Sequence, residues 1–144
     1  MITQGTCGSF KAEVWNGYHA FSSAYRAADT FRIALYTSVA DLNPATTTVY
    51  TTVGEVVGTG YSAGVIILTP TAPANSGVVA YLSFNNVSWT GANFTANGAL
   101  IYNATQGNRA VCILEFGGDK TPTAGTFTVQ FPVNGPTTSV IRAG

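Results

Sequence analysis

The stretch Thr126-Phe127-Thr128-Val129-Gln130-Phe131 decides the fold class, because polar and apolar side chains alternate at every position. A period of two places the odd-numbered side chains on one face of a β-strand and the even-numbered ones on the other. The apolar face would lie against a core, and the polar face would point outward. Gly125 and Pro132 bound the run, as turn-forming residues commonly bound a strand.

Similar short runs occur on the N-terminal side of this stretch and once after it, each bounded by Gly, Asn or Pro. They predict strands in residues 30–37, 65–69, 78–84, 87–89, 98–103, 109–116 and 139–142. Residues 46–52 are polar and β-branched, which predicts an edge strand or an extended loop. Gly118-Asp119-Lys120 predicts a charged hairpin tip. No helical pattern separates these runs, so we expect a mainly β fold, an antiparallel β-sandwich or jelly-roll-like domain.

The N-terminal segment follows a helical period instead. Five residues recur at spacings of four, four, three and four, which places them on one helix face: Phe10, Val14, Tyr18, Phe21 and Tyr25. Ser9 is the expected N-cap, and Gly17 weakens the helix by roughly 1 kcal/mol relative to alanine. Such a helix forms only if its aromatic stripe packs on something. We therefore predict an N-terminal helical arm in residues 1–28 and a β-sandwich domain in residues 29–144.

The charge content of the sequence is unusually low. Of 144 residues, 46% are hydrophobic but only 8% are Asp, Glu, Lys or Arg, against about 25% in an average soluble domain. The six basic and six acidic side chains give a formal net charge of zero. A free monomer generally relies on surface charge to stay dispersed. A surface of Thr, Ser, Asn, Gly and apolar side chains is better suited to a protein that is covered by partners in an assembly.

The same composition argues against several kinds of partner. Nucleic-acid binding draws its sequence-independent affinity from clustered Lys and Arg, and no such cluster exists in the sequence. No apolar run approaches the roughly 20 residues that a membrane-spanning helix needs. Residues 1–9 lack the charged and apolar regions of a signal peptide. We therefore expect a protein made in the cytoplasm that binds neither nucleic acid nor membrane, with Cys7 and Cys112 reduced.

One motif with catalytic associations is present. Gly60-Tyr61-Ser62-Ala63-Gly64 matches the G-x-S-x-G nucleophile elbow of α/β-hydrolases. That elbow requires a parallel sheet with alternating helices, and a histidine that follows the serine in sequence. The only histidine is His19, which precedes Ser62, and a serine without a base is a weak nucleophile. We interpret the motif as a glycine-rich turn.

Other chemistry finds little support in the sequence. One His and two distant Cys residues do not make a metal site, and the sequence contains no dinucleotide-binding fingerprint. Five aromatic residues could form a sugar-binding platform, although packing in the core or an interface is the simpler interpretation: Trp15, Tyr50, Tyr61, Trp89 and Tyr102. We expect His19 to be exposed or at an interface. We predict no catalytic residues, no cofactor and no metal, and hence a protein that is not an enzyme.

Four stretches of the sequence can be compared with known families. They read Asp29-Thr30-Phe31-Arg32-Ile33-Ala34-Leu35-Tyr36-Thr37, then Gly54-Glu55-Val56-Val57-Gly58-Thr59-Gly60-Tyr61, then Ala99-Leu100-Ile101-Tyr102-Asn103 with Asn108-Arg109-Ala110-Val111 and Phe116-Gly117-Gly118-Asp119-Lys120, and finally Gly125-Thr126-Phe127-Thr128-Val129-Gln130-Phe131-Pro132. Together they resemble small virion structural proteins of tailed bacteriophages and prophages. The resemblance covers most of the chain from residue 29 onward.

The resemblance implies a place in the phage particle and a structural rather than an enzymatic function. A short chain with a compact β-domain favours a capsid cement or decoration protein, which binds the major capsid protein and stabilises the head lattice. The alternative is a tail adaptor, or a fibre-base or receptor-binding component, with tail proteins as partners. Either role puts the protein in the virion after synthesis in the host cytoplasm.

The mode of assembly follows from the composition. Because an uncharged surface can pack against copies of itself without burying unpaired charges, we expect a homo-oligomer, most simply a trimer. The arm carries more aromatic side chains than an isolated helix needs, which predicts an interface formed by Phe10, Trp15, Tyr18, Phe21 and Tyr25. The alternative is that these residues cover one face of their own sandwich.

Overall fold

The computed structural model describes residues 1–122 and 125–144, and within them the fold is mainly β with a single short helix, as predicted. The helix α1 spans Gly8–Trp15. The strands are β1 (Gly5–Thr6), β2 (Phe31–Tyr36), β3 (Ile67–Leu68), β4 (Ala74–Ser76), β5 (Val79–Leu82), β6 (Val87–Thr90), β7 (Ala96–Asn103), β8 (Arg109–Lys120), β9 (Thr126–Val129) and β10 (Ile141–Ala143).

The central element is an antiparallel sheet of five strands in the order β1-β8-β7-β2-β3. The register between β2 and β7 runs without a break from Phe31 opposite Asn103 to Tyr36 opposite Gly98. The alternation in β2 predicted one buried face, but five of its six residues are buried and the sixth is half-buried. On the second face, the Tyr36 hydroxyl donates to the carbonyl of Thr51 in an irregular segment. The amide of Val56, in the same segment, donates to the carbonyl of Leu35 and so extends the edge of the sheet.

Two smaller antiparallel sheets complete the fold, one in the order β10-β5-β4 and one formed by β6 and β9. The alternation predicted for β9 is confirmed, since Phe127 and Val129 are buried and their polar neighbours are exposed. The β6–β9 sheet packs on the core through Phe127, and Phe84, two residues after β5, also packs there. The ring centroids of Phe127 and Phe116 lie 6.0 Å apart, and those of Phe84 and Phe31 lie 6.5 Å apart. Burying a phenylalanine stabilises the fold by roughly 1.5–3 kcal/mol.

The N-terminal helix is shorter than the periodicity predicted. It ends at Trp15, because the chain passes through Asn16 into Gly17, whose φ of 79° lies in the left-handed region that glycine tolerates best. The helix begins at Gly8 after Cys7, and not after Ser9 as expected. The rest of the predicted arm is irregular, apart from β1, which pairs with β8 in the central sheet.

The structure also bears on two other local predictions. Residues 46–52 form no regular strand and make only a single bridge, between Val49 and Arg109; they are the extended loop of the two alternatives. Gly118-Asp119-Lys120 is not a hairpin tip, because β8 continues to Lys120, which lies opposite Ala96 in β7. A bulge absorbs the extra residues there, with Gly117 and Gly118 at φ values of 76° and 132°.

Candidate docking site

Two of the five predicted interface residues belong to the core. Phe10 is 4% exposed and its ring lies 5.9 Å from that of Phe21, in an edge-on arrangement. Phe21 stacks on Phe31 of β2 with a centroid distance of 4.2 Å and an interplanar angle of 6°. For these two residues the alternative interpretation applies, in which the aromatic side chains cover their own domain.

The other three predicted residues lie at the surface. Trp15 is 91% exposed and Tyr25 is 97% exposed. Tyr18 is 40% exposed, and the guanidinium carbon of Arg109 lies 4.1 Å from the centre of its ring. The prediction that all five share one helix face is wrong, because the helix ends at Trp15 and the later residues follow in a loop. We call Trp15, Tyr18 and Tyr25 the surface aromatic group.

Tyr18 and Tyr25 lie in the loop of residues 16–30, and Trp15 is the last residue of α1 directly before it. The loop has no regular structure of its own and is held by an ion pair. The Arg26 guanidinium donates to both carboxylate oxygens of Asp29, at 2.9 and 3.1 Å. It also donates to the backbone carbonyls of Gly17 and Tyr18, at 3.2 and 3.0 Å. One arginine side chain therefore joins the beginning and the end of the loop.

Asp29 is the centre of this arrangement and its side chain is almost completely buried. Besides Arg26, it accepts hydrogen bonds from the backbone amide of Ala20, from Asn103 and from Gln106, at 2.9, 2.9 and 3.3 Å. Burial alone would raise the pKa of this carboxyl. The hydrogen bonds from Arg26, Asn103, Ala20 and Gln106 outweigh the effect of burial and hold the pKa well below its usual range.

A second set of contacts links the loop to α1 and β8 through His19. The Asn103 amide nitrogen lies 3.0 Å from Nδ1 of His19, and Nε2 of His19 lies 3.0 Å from a carboxylate oxygen of Glu13. Because an amide nitrogen can only donate, Nδ1 accepts and the proton of the neutral ring is on Nε2. The other oxygen of Glu13 accepts from Arg109 at 2.7 Å.

The expectation that His19 is exposed or at an interface is wrong. Its side chain is fully buried, and its ring lies 4.7 Å from Phe10 and 6.4 Å from Phe31. Both ring nitrogens are occupied within the fold, so His19 has a structural role in fixing the loop. The surface aromatic group thus lies at the end of α1 and in the loop that follows it, whose base is fixed by hydrogen bonds. Because that backbone is already fixed, binding a partner has to order only the exposed side chains.

The serine motif lies in a different environment from the one a nucleophile elbow requires. Ser62 is exposed in an irregular segment, and the next regular element is the short strand β3 rather than a helix. Gly60 and Gly64 have φ values of 87° and 70°, as expected of a glycine-rich turn. A Cβ on Gly60 would lie 2.5 Å from the carbonyl oxygen of Gly91, so the glycine is needed for close packing.

A hydrogen-bonded cluster around Glu55 was not predicted from the sequence. Its carboxylate accepts hydrogen bonds from the hydroxyls of Tyr50 and Tyr61, at 2.6 and 2.5 Å. The Tyr61 hydroxyl also accepts from the backbone amide of Leu35, at 3.0 Å. Burial, together with the hydrogen bond to Glu55, raises the pKa of both tyrosines above its usual value. Tyr50, Glu55 and Tyr61 lie within twelve residues of one another in sequence, but no periodic pattern predicts that their side chains meet.

The five residues considered as a sugar-binding platform do not form one surface. Trp89 and Tyr102 are buried in the core, as the packing interpretation predicted. Tyr50 stacks on Tyr102 with a centroid distance of 4.6 Å, and Tyr61 lies 6.4 Å from Trp89. Trp15 alone is fully at the surface.

Within residues 1–122 and 125–144, no three His, Cys, Asp or Glu side chains are grouped closely enough to hold a metal ion. None of the described helical segments has the length and apolar character needed to cross a bilayer. Comparisons with protein-family models, with curated proteins and with solved structures found no match.

Proposed function

We propose that this chain is a non-enzymatic structural protein of a tailed-phage particle, and that it works by docking onto a partner surface and onto copies of itself. The observation that carries the proposal is the exposure of Trp15 at the end of α1 and of Tyr25 in the following loop, whose base is fixed by buried hydrogen bonds to Asp29. The resemblance of the sequence from residue 29 onward to small virion proteins favours the same role.

The exposed rings of Trp15 and Tyr25 lie beside a base that is fixed by buried hydrogen bonds. Covering a large aromatic side chain is favourable by roughly 25 cal/mol for each Å² of apolar surface removed from water. Tryptophan and tyrosine are also the residues that most commonly dominate binding energy at protein interfaces. Since the loop is already ordered, docking does not have to order it. Two exposed aromatic residues on such a base are suited to anchor a partner.

Among virion roles we propose a capsid cement protein that binds the major capsid protein. Only 12 of the 144 side chains carry a charge, so a broad contact with a capsid lattice can form with few buried, unpaired charges. Each such charge would cost several kcal/mol in desolvation. A compact β-domain of this size also suits a protein that adds contacts across a lattice.

The number of copies per particle tests the cement role. Densitometry of gels from purified virions should find this chain at a copy number comparable to that of the major capsid protein. A few copies, or a few tens, would instead support the tail adaptor or fibre-base role. Absence from purified virions would contradict the whole proposal.

Point substitutions test the docking surface. Deleting residues 1–28 would remove β1 and Phe10 from the fold, so the double variant Trp15→Ser/Tyr25→Ser is the sharper experiment. We expect binding to capsids that lack the native protein to weaken by about tenfold or more, the equivalent of about 1.4 kcal/mol. Val57→Ser/Val78→Ser is the matched control, because both valines are also highly exposed.

The outcome is interpretable only if both double variants keep the native far-ultraviolet circular dichroism and unfold at the same temperature as the unmodified chain. Full binding by the Trp15→Ser/Tyr25→Ser variant would place docking elsewhere and contradict the role of the surface aromatic group. Saturable glycan binding that is lost in the same variant would show a carbohydrate-binding module instead of a capsid contact.

A further inference from the structure

Strand β9 has an open edge. It pairs with β6 along one side only, in a sheet that consists of these two strands. On its other side, Thr126–Val129 makes no backbone hydrogen bond to any strand within residues 1–122 and 125–144. A two-stranded sheet is marginal by itself, and three or more strands are usually needed for independent stability. The β6–β9 sheet therefore has an unpaired edge, to which a second chain could add strands.

A groove of about 880 Å³ runs beside this edge. It is lined by residues 127–132 on one wall, by Leu114 and Phe116 of β8 on another, and by Thr138–Val140 near the C-terminal end. Glu115 lies in the same groove as Lys120 and Arg142, so its charged side chains have both signs. Such a surface can face an identical copy without net repulsion.

The β9 edge also lacks the features that usually prevent strands from pairing between molecules. Natural edge strands are commonly very short, or carry charged side chains or proline. The edge strands of the two larger sheets have two or three residues each: β1, β3, β4 and β10. The run from Thr126 to Phe131 contains no charged residue and no proline, and Pro132 follows directly after it. The edge is therefore open to pairing along its whole length.

We propose that β9 pairs antiparallel with β9 of a second copy, across a two-fold axis at Thr128. A two-fold axis perpendicular to the sheet keeps corresponding faces of both copies on the same side. Thr128 then lies opposite its own copy, and Phe127 lies opposite Val129. The apolar face stays against the two cores and the threonines stay outside, where Thr–Thr pairs across strands are favourable. The product is a continuous four-stranded sheet, β6-β9-β9-β6.

This pairing deepens the proposed function, on which it rests, by naming the surface through which the protein self-associates. It also replaces the threefold association expected from the sequence with a twofold one, since two identical strand edges pair antiparallel about a two-fold axis. Trp15 and Tyr25 belong neither to the β6–β9 sheet nor to the lining of the groove beside it, so the two proposals can fail independently.

Charge substitutions at Thr128 test the pairing in solution. Thr128→Lys places two ammonium groups opposite each other at the axis, and Thr128→Glu places two carboxylates there. We expect the unmodified chain to sediment as a dimer, each variant alone to dimerise at least about tenfold more weakly, and an equimolar mixture of the two to recover dimers. Ser88→Lys is the control, because Ser88 is exposed on the same face, one strand further from the axis.

A cross-linking variant gives a readout that does not depend on loss of binding. Thr128→Cys should form a covalent dimer under mild oxidation, whereas Ser88→Cys should not. The native Cys7 and Cys112 are buried, and burial raises the pKa of Cys7 to about 11, so both are poor competitors. The pairing would be overturned if the unmodified chain were a monomer or a trimer. It would also be overturned if Thr128→Lys dimerised as tightly as the unmodified chain, or if both cysteine variants cross-linked equally. None of these results would bear on the copy number in virions.

Discussion

The side-chain amide of Asn103 donates a 2.9 Å hydrogen bond to the carboxylate of Asp29, although 74 residues separate the two in sequence. Asn103 ends β7 and lies opposite Phe31, two residues after Asp29. The contact therefore closes the irregular loop of residues 16–30 onto the end of the central sheet. The same Asn103 nitrogen contacts His19, which in turn contacts Glu13. The Asn103 amide therefore connects the ion pair between Arg26 and Asp29 with the one between Arg109 and Glu13.

Replacing Asp29 should destabilise the protein substantially. Asp29→Asn removes the charge that four hydrogen-bonding groups converge on, and hydrogen bonds to charged groups contribute about 1.5–3 kcal/mol each in net terms. Because Arg26 can return to water, we expect a loss of about 2–3 kcal/mol in the free energy of unfolding at pH 7. Urea denaturation measures it, with Asp41→Asn as the control at an exposed carboxylate.

The pH dependence of the same variant gives a second check. The pKa of Asp29 is lower in the folded than in the unfolded protein, where it is near 3.8. Its contribution to stability is therefore present above about pH 3.8 and is lost as the pH falls toward the folded-state value. The difference between the unmodified protein and Asp29→Asn should shrink below about pH 4. A difference that stays constant down to pH 2 would contradict the assignment.

Loss of an aromatic ring should lower stability strongly near the start of α1 and hardly at all at its end. Phe10→Ala should cost about 3–5 kcal/mol, because the ring is buried against Phe21 and His19. Trp15→Ala should change stability by less than about 0.5 kcal/mol, because its side chain is 91% exposed. Thermal unfolding of both variants compares them directly. Similar losses would show that Trp15 packs within the fold and is not free to dock.

Regular strands were predictable from the sequence because their pattern is local. In β9, alternation alone placed Phe127 and Val129 inside, and the structure agrees. In β2, alternation could not reveal that the second face is also buried, because the covering segment is irregular and lies some twenty residues later. Tyr36, which alternation places on the outer face, is buried, and its hydroxyl donates to the carbonyl of Thr51. Patterns report on one element and not on the chain that packs over it.

The support of the candidate site could not be predicted for a related reason. A helical period continues through Tyr18 and Phe21, yet the backbone leaves the helix at Gly17 and the loop is held by partners such as Asn103 and Arg109. These partners lie more than 80 residues away from His19 and Glu13. A polar side chain gives no sequence signal for a partner at such a distance, so His19 was expected at the surface.

In the glycine-rich turn, substitution of Gly60 should lower the stability of the fold, whereas substitution of Ser62 should not. Gly60→Ala places a methyl group 2.5 Å from the carbonyl oxygen of Gly91 and forces a φ of 87° on a side chain that disfavours it. We expect a loss of about 1–3 kcal/mol. Ser62→Ala, at an exposed position in the same turn, should leave stability within about 0.5 kcal/mol. Equal tolerance of both substitutions would show that the turn can relax.

The Glu55 cluster predicts how the protein responds to alkali. Burial, followed by the hydrogen bond to Glu55, raises the pKa of Tyr50 and of Tyr61 above the ordinary value of 10.0. Burial and the charge of Glu55 raise that of Tyr36. A raised folded-state pKa means that these groups support stability fully below pH 10 and that their contribution is lost as the pH rises above it. Their ionisation should therefore accompany unfolding.

Absorbance at 295 nm and circular dichroism, followed together from pH 8 to 13, measure this coupling. We expect one cooperative step in tyrosine ionisation that coincides with loss of the native dichroism. Tyr61→Phe should reduce that step and cost about 1–3 kcal/mol at pH 7, because it leaves an oxygen of Glu55 and the amide of Leu35 without their partner. Tyr25→Phe, at a fully exposed ring, should leave stability unchanged. Gradual ionisation of every tyrosine while the dichroism stays native would show that the cluster is open to water, and the hydrogen bonds to Glu55 could not then be the reason for its order.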